Sequence, residues 1–142
     1  MPYSVRVCGA RAGLVSGADG LSYHVEQGLE ALEDADLIFI PGYLQPDTHP
    51  APRALLDALR AAHARGAKLA AISTGAFALA ETGLLDGKRA TTHWHYTAAF
   101  SERFTQVEVN EGVLFVDEGQ VLTSAGAASG IDLCLHILRA EQ

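Results

Sequence analysis

Ser73, Thr74, Gly42 and His93 are the residues whose types and spacing could do chemistry in this chain. Ser73 follows the apolar run Leu69-Ala70-Ala71-Ile72 and precedes Thr74-Gly75 and the helix-forming stretch Ala76 to Ala80. A buried strand, an abrupt turn and a helix is the reading of that pattern. In an open α/β sheet such a turn borders the crevice where ligands bind. A hydroxyl held there can act as a nucleophile if a base reaches it. The backbone N–H of Thr74, and that of Gly42 at the end of a neighbouring apolar run, are the candidate oxyanion donors. His93, in Ala90-Thr91-Thr92-His93-Trp94, is the candidate base, with His95 the alternative. Two competing readings stand beside these. Ser73 is also small enough simply to fill a tight turn, and His93 can be a hydrogen-bonded structural histidine. A serine nucleophile usually needs a third group to orient its base, and no acidic residue presents itself for that role.

The elements that must position these residues can be read in order. Tyr3 to Cys8 alternates and predicts a strand; Gly9 to Gly20 predicts a turn or hairpin region, and Leu21 to Val25 a short strand. Glu26 to Leu32 is a weak helical turn. Leu37-Ile38-Phe39-Ile40, ended by Pro41-Gly42, suits a fully buried parallel strand. A loop over Tyr43 to Pro50 leads to a helix from near Pro52 to about Arg65, with Leu55, Leu56 and Leu59 as its buried stripe and Gly66 as its stop. Gly83 caps the helix after Ser73. Arg89 to Trp94 reads as extended and Tyr96 to Phe104 as helical. Val107 and Val109 form one strand and Val113 to Val116 another, with Asn110-Glu111-Gly112 a hairpin signal between them. Gln120 to Thr123 is a further strand, Ser124 to Gly130 a turn of small residues, and Ile131 to Leu138 an apolar helix with Ile131, Leu135 and Leu138 on one face. Strands alternating with helices predict a layered α/β fold with a mainly parallel sheet.

Composition narrows the function classes. The chain has 142 residues, 49% of them hydrophobic, and a formal net charge of -7. That length suits a single domain over residues 1–142. An acidic surface argues against nucleic acid or an anionic membrane as a direct partner of these residues. The apolar runs are too short to span a bilayer, Met1-Pro2 begins no signal peptide, and a cytoplasmic location is expected. Cys8 and Cys134 lie in apolar patterns without a CxxC and predict two buried free thiols. His24, His49, His63 and His136 stand at no metal-ligand spacing, so no metal is assigned. Gly9 to Gly20 contains neither GxGxxG nor GxxxxGK[ST], so no nucleotide cofactor is expected.

Five ordered motifs resemble a known family. Ile38-Phe39-Ile40-Pro41-Gly42, Ala71-Ile72-Ser73-Thr74-Gly75-Ala76-Phe77, Gly83-Leu84-Leu85-Asp86-Gly87, Ala90-Thr91-Thr92-His93-Trp94, and Leu122 to Gly126 followed by Gly130 to His136 resemble the ThiJ/PfpI branch of the class I glutamine amidotransferase-like superfamily. They are most similar to the amidotransferase-like domain of AraC-type transcription regulators. The resemblance implies a flavodoxin-like, doubly wound, three-layer α/β/α fold, without the strand–helix unit with which family members begin. It also implies the nucleophile position for Ser73, the oxyanion positions for Gly42 and Thr74, and the partner-histidine position for His93. The family places cysteine where this chain has Ser73, which removes the thiolate that redox-sensing, glyoxalase-type and hydratase-type chemistry use. The expectation is therefore a ligand-sensing regulatory domain without efficient catalysis. It would bind a small molecule, associate as a homodimer and reach DNA only through a separate helix-turn-helix domain outside these residues. The alternative is a ThiJ/PfpI-type hydrolase or isonitrile hydratase-like enzyme using Ser73 and His93.

Overall fold

The structure, a computed structural model, describes residues 3–16, 20–126 and 128–141. Its centre is a four-stranded sheet in the order β3-β4-β8-β7. β3 (Leu37–Ile40), β4 (Lys68–Ile72) and β8 (Val121–Ser124) are parallel, and β7 (Phe115–Asp117) closes one side antiparallel to β8. Helices α1 (Arg53–Ala64), α2 (Gly75–Glu81) and α3 (Thr97–Arg103) contribute Leu59, Ala62, Phe77, Leu79 and Phe100 to a core with Ile38, Ile40, Leu69, Ala71 and Val121 on one sheet face. The other face carries Ala70 and Leu122 beneath Leu133 and Ile137 of α4 (Ser129–Ala140). This is the expected three-layer arrangement. An antiparallel hairpin, β1 (Gly13–Ser16) with β2 (Ser22–Val25), and a short parallel pair, β5 (Arg89–Ala90) with β6 (Glu108–Val109), complete the fold. Residues 17–19, within the expected turn or hairpin region, lie outside the described residues, as do 1, 2, 127 and 142.

The small side chains of α2 let it lie hard against the sheet. Gly75 to Ala80 are all buried. A Cβ on Gly75 would collide with the Ile40 carbonyl oxygen and stand 2.8 Å from that of Pro41. Phe77 supplies the one aromatic side chain of α2 and meets Phe100 edge-on at 5.1 Å, with Phe104 and Tyr96 at 5.9 and 6.0 Å. This aromatic cluster fastens α3 and the segment before it to α2.

Several expectations are corrected. Tyr3 to Cys8 forms no strand and pairs only through an isolated Cys8–Gln27 bridge among the described residues. Leu37 to Ile40 is an edge strand rather than a fully buried one, and Phe39 is 42% exposed. The Asn110-Glu111-Gly112 hairpin does not form. β6 pairs with β5, and β7 turns back on β8 at Glu118-Gly119, where the Asp117 carboxylate accepts the Gly119 N–H at 2.7 Å. Arg89 to Trp94 is a strand only at its start; Thr91 and Thr92 are buried and tied by hydroxyl hydrogen bonds instead of a ladder. The face of α4 that packs is Leu133 and Ile137, while Ile131, Leu135 and Leu138 stay exposed. Cys8 and Cys134 are free thiols but only half-buried.

Helix α4 is latched to β7 by His136, whose Nε2 lies 2.7 Å from Asp117 Oδ2 and whose ring lies 4.7 Å from that of Phe115. Burial pushes the Asp117 carboxyl up, but hydrogen bonds from His136 and the Gly119 N–H, with the His136 and Lys68 charges, outweigh it and hold it below its ordinary value. The folded carboxyl thus titrates below the unfolded one. The stability it adds is full above about pH 4 and drains as pH falls through the lower folded value. Asp117→Asn should cost less than about 1 kcal/mol at neutral pH, since the pair is partly exposed, and should flatten the acid limb of a Tm–pH profile. Gly75→Ala should lower stability by about 2–3 kcal/mol, because backbone rather than a flexible side chain must yield; denaturant titration would measure it.

Candidate functional site

Ser73 sits where β4 turns into α2, and its backbone takes φ = 55°. A left-handed conformation at a non-glycine residue costs on the order of 1–2 kcal/mol. The surroundings impose it: the Ser73 N–H donates to the Ser124 carbonyl at 3.1 Å, and the Thr92 hydroxyl donates to the Ser73 carbonyl at 2.9 Å. Both backbone groups are occupied, which leaves the side chain to project from the turn. Among the described residues the Ser73 hydroxyl has no hydrogen-bond partner.

The loop after β3 is locked to the same turn. Thr74 Oγ1 accepts the Tyr43 N–H at 2.8 Å and donates to the Tyr43 carbonyl at 2.9 Å. This two-way clamp brings Gly42 against the Ser73 turn, where an added Cβ would stand 3.0 Å from Thr74 Oγ1 and 3.5 Å from Ser73 Cβ. The N–H groups of Gly42 and Thr74 have no acceptor among the described residues. Further out, the Glu81 carboxylate, whose side chain is only 5% exposed, accepts the Ala51 N–H at 2.8 Å and pairs with Arg103 at 2.6 Å. It anchors the far end of the same loop to α2 and α3. The Tyr43 hydroxyl is buried without a partner among the described residues; burial, and then the Glu81 charge, push its pKa well up.

His93 is held by its neighbours rather than by Ser73. Its Nδ1 accepts the His95 N–H at 3.1 Å, and its ring stacks 5.5 Å from that of Trp94. A Cβ on Gly126 would stand 3.2 Å from His93 Nε2, so glycine there lets the ring lie flat on the turn after β8. With Nδ1 accepting, a neutral His93 carries its proton on Nε2 and offers a donor there. No hydrogen bond joins His93 to Ser73. Sequence reasoning missed Tyr43, Thr92, Ser124 and Glu81. The first two adjoin Gly42 and His93, yet nothing in their types marks them. Glu81, a carboxylate in an otherwise apolar helix, was the readable signal.

The arrangement gathers Ser73, Thr74 and Gly42 around one turn, whose Gly42 and Thr74 N–H groups have no acceptor among the described residues, and Thr92, next to His93, is tied to the same turn. Thr74→Val should leave the Tyr43 N–H and carbonyl unpaired and cost about 1–3 kcal/mol. Thr74→Ser should restore most of it, with both read by thermal unfolding.

The chain matches the DJ-1/PfpI family over residues 2–140. It is 38% identical over 136 residues to the HTH-type transcriptional regulator CdhR of Pseudomonas aeruginosa, covering 96% of this chain and 40% of that one. It is 31% identical over 123 residues to the isonitrile hydratase of Pseudomonas putida, covering 87% of this chain and 53% of that enzyme. The chain thus spans about half or less of each of these curated relatives. A solved AraC family transcriptional regulator from Pseudomonas putida superposes with a TM-score of 0.77 at 26% identity, covering 94% of this chain and 71% of the other. With the strand–turn–helix around Ser73 and matches over nearly all of its length, the chain belongs to the DJ-1/PfpI family.

Proposed function

We propose that residues 1–142 form one ligand-sensing domain of a transcription regulator, which binds a small molecule over Ser73 without turning it over efficiently. The Gly42 and Thr74 N–H groups receive a carbonyl or carboxylate oxygen of the ligand. The observation that carries this reading is the state of His93. Its Nδ1 accepts the His95 N–H and no hydrogen bond joins it to Ser73; in the tautomer that this bond favours, Nε2 carries the proton and is a donor rather than a base toward Ser73. A hydroxyl without a base is a poor nucleophile, whereas a cluster of N–H donors is well suited to hold an oxygen. Similarity to regulators such as CdhR supports the regulatory half of the proposal. DNA contact belongs to a separate domain outside these residues, as the net charge of -7 favours. A homodimer in the cytoplasm completes the reading. Among the described residues no helix is long and apolar enough to cross a membrane.

The second reading is an enzyme using Ser73 as nucleophile and His93 as base. The strained φ of 55° at Ser73 and the similarity to isonitrile hydratase favour it. A panel of small carboxylates, amides and isonitriles separates the two. Sensing predicts a melting shift from at least one carboxylate, lost in Gly42→Val, with no turnover. Rapid turnover of any panel member, abolished by Ser73→Ala, would establish the enzyme instead. Ser73→Cys should create a thiol that iodoacetamide alkylates faster than Cys8 or Cys134.

A further inference from the structure

Helix α4 shows water an apolar stripe that core packing does not use. Leu133 and Ile137, with Ser129 and Gly130, face the sheet. Ile131, Leu135 and Leu138 lie on the opposite side at positions i, i+4 and i+7, exposed by 65, 45 and 41%. The helix cannot roll to hide them, because strands hold it at two points. His136 meets Asp117 and Phe115 of β7, and Glu141, just past the end of the helix, lies 3.9 Å from Lys68 of β4. The stripe is thus presented in one orientation.

Two opposite charges frame this stripe. Asp132 stands in the first turn of α4 and Arg139 in the last. At about 100° per residue they project on the same side of the stripe, one beside Ile131 and the other beside Leu138. Neither makes an ion pair among the described residues. Leu135 lies midway between Ile131 and Leu138, and midway between Asp132 and Arg139. An apolar centre with opposite charges evenly spaced about it is complementary to its own reverse.

We propose that this face of α4 docks a second copy of the chain, its α4 lying antiparallel on the first about a two-fold axis at Leu135. Leu135 meets its counterpart, and Ile131 meets Leu138 of the other copy. Asp132 of each copy reaches Arg139 of the other, and each helix N-terminus lies beside a C-terminus, so charges and helix dipoles agree. A parallel arrangement would set Asp132 against Asp132 and Arg139 against Arg139. A two-fold interface needs such even spacing, since one patch must serve both sides; an unrelated partner does not. The inference rests on the homodimer of the proposed function and names its surface; the ligand reading does not enter it. One helix face buries less than the roughly 800 Å² per partner of standard complexes, so the dimer is weak, with a Kd on the order of 10–100 μM.

Sedimentation of the 142-residue chain should show the weight-average mass rising from one chain toward two between about 5 and 500 μM. Leu135→Glu should hold it at one chain with native circular dichroism. Asp132→Arg and Arg139→Asp should each weaken association at least about tenfold, and the two combined should restore it. In a Cys8→Ser, Cys134→Ser background, Leu135→Cys should form an intermolecular disulfide on oxidation. Ile131→Cys should not, because its two copies lie about 12 Å apart along the helix axis, whereas a mixture of Ile131→Cys and Leu138→Cys chains should. A monomer at every concentration, a dimer that survives Leu135→Glu, charge exchange that fails to restore association, or Ile131→Cys linking to itself as readily as Leu135→Cys each overturns the proposal. A monomer whose melting point a carboxylate still raises sinks this inference alone; a dimer that no carboxylate shifts sinks the sensing reading alone.

Discussion

The closeness of the β4–α2 turn to the end of β3 is the constraint on which the rest of the structure depends. Gly75 lies against the Ile40 and Pro41 carbonyls with no room for a Cβ, and Thr74 locks both backbone groups of Tyr43. Two loops far apart in sequence thereby become one rigid surface. That closeness requires the small residues of α2, and the small residues in turn leave Phe77 to fill the space beneath with Phe100, Phe104 and Tyr96. The aromatic cluster then carries the His93 segment to the same surface. Core packing and site assembly are here the same set of contacts.

That surface is unevenly equipped. In the proposed sensing role its backbone donors would need no reorganisation to receive an oxygen, because sheet and helix already hold them. Its histidine is oriented by the His95 N–H and by stacking on Trp94, interactions local to one short stretch of chain. Local contacts set the tautomer, and the tautomer decides whether the ring gives or takes a proton. In the proposed function, the choice between binding and chemistry at Ser73 rests on a backbone amide two residues from the histidine.

Much of the fold was legible because its signals are local. The run Leu69 to Ile72, the Pro41-Gly42 stop and the Gly66 and Gly83 terminators each act within a few residues, and the strands and helices they bound form where read, although β3 lies at an edge. The motifs around Ser73 and His93 were legible as neighbours in a family pattern, though not as a hydrogen-bond network. Pairing was read less well. The Asn110-Glu111-Gly112 turn signal lost to a partner for β6 that lies earlier in the chain, and the alternation of Tyr3 to Cys8 yields one isolated bridge rather than a strand. On α4, Ile131, Leu135 and Leu138 form as good a stripe as Leu133 and Ile137. Choosing between two apolar flanks requires knowing which neighbours are present.

By itself the sequence determined the layered α/β class, the strand–turn–helix that presents Ser73 and the small-residue character of α2, because periodicity, turn residues and side-chain volume act along the chain. Only the tertiary structure decided the left-handed backbone at Ser73, the Thr74–Tyr43 clamp, the buried Glu81 anchor and the exposed edge at β3. Each of these is settled by groups distant in sequence, and a hydrogen bond or a missing neighbour at that range leaves no mark in local composition.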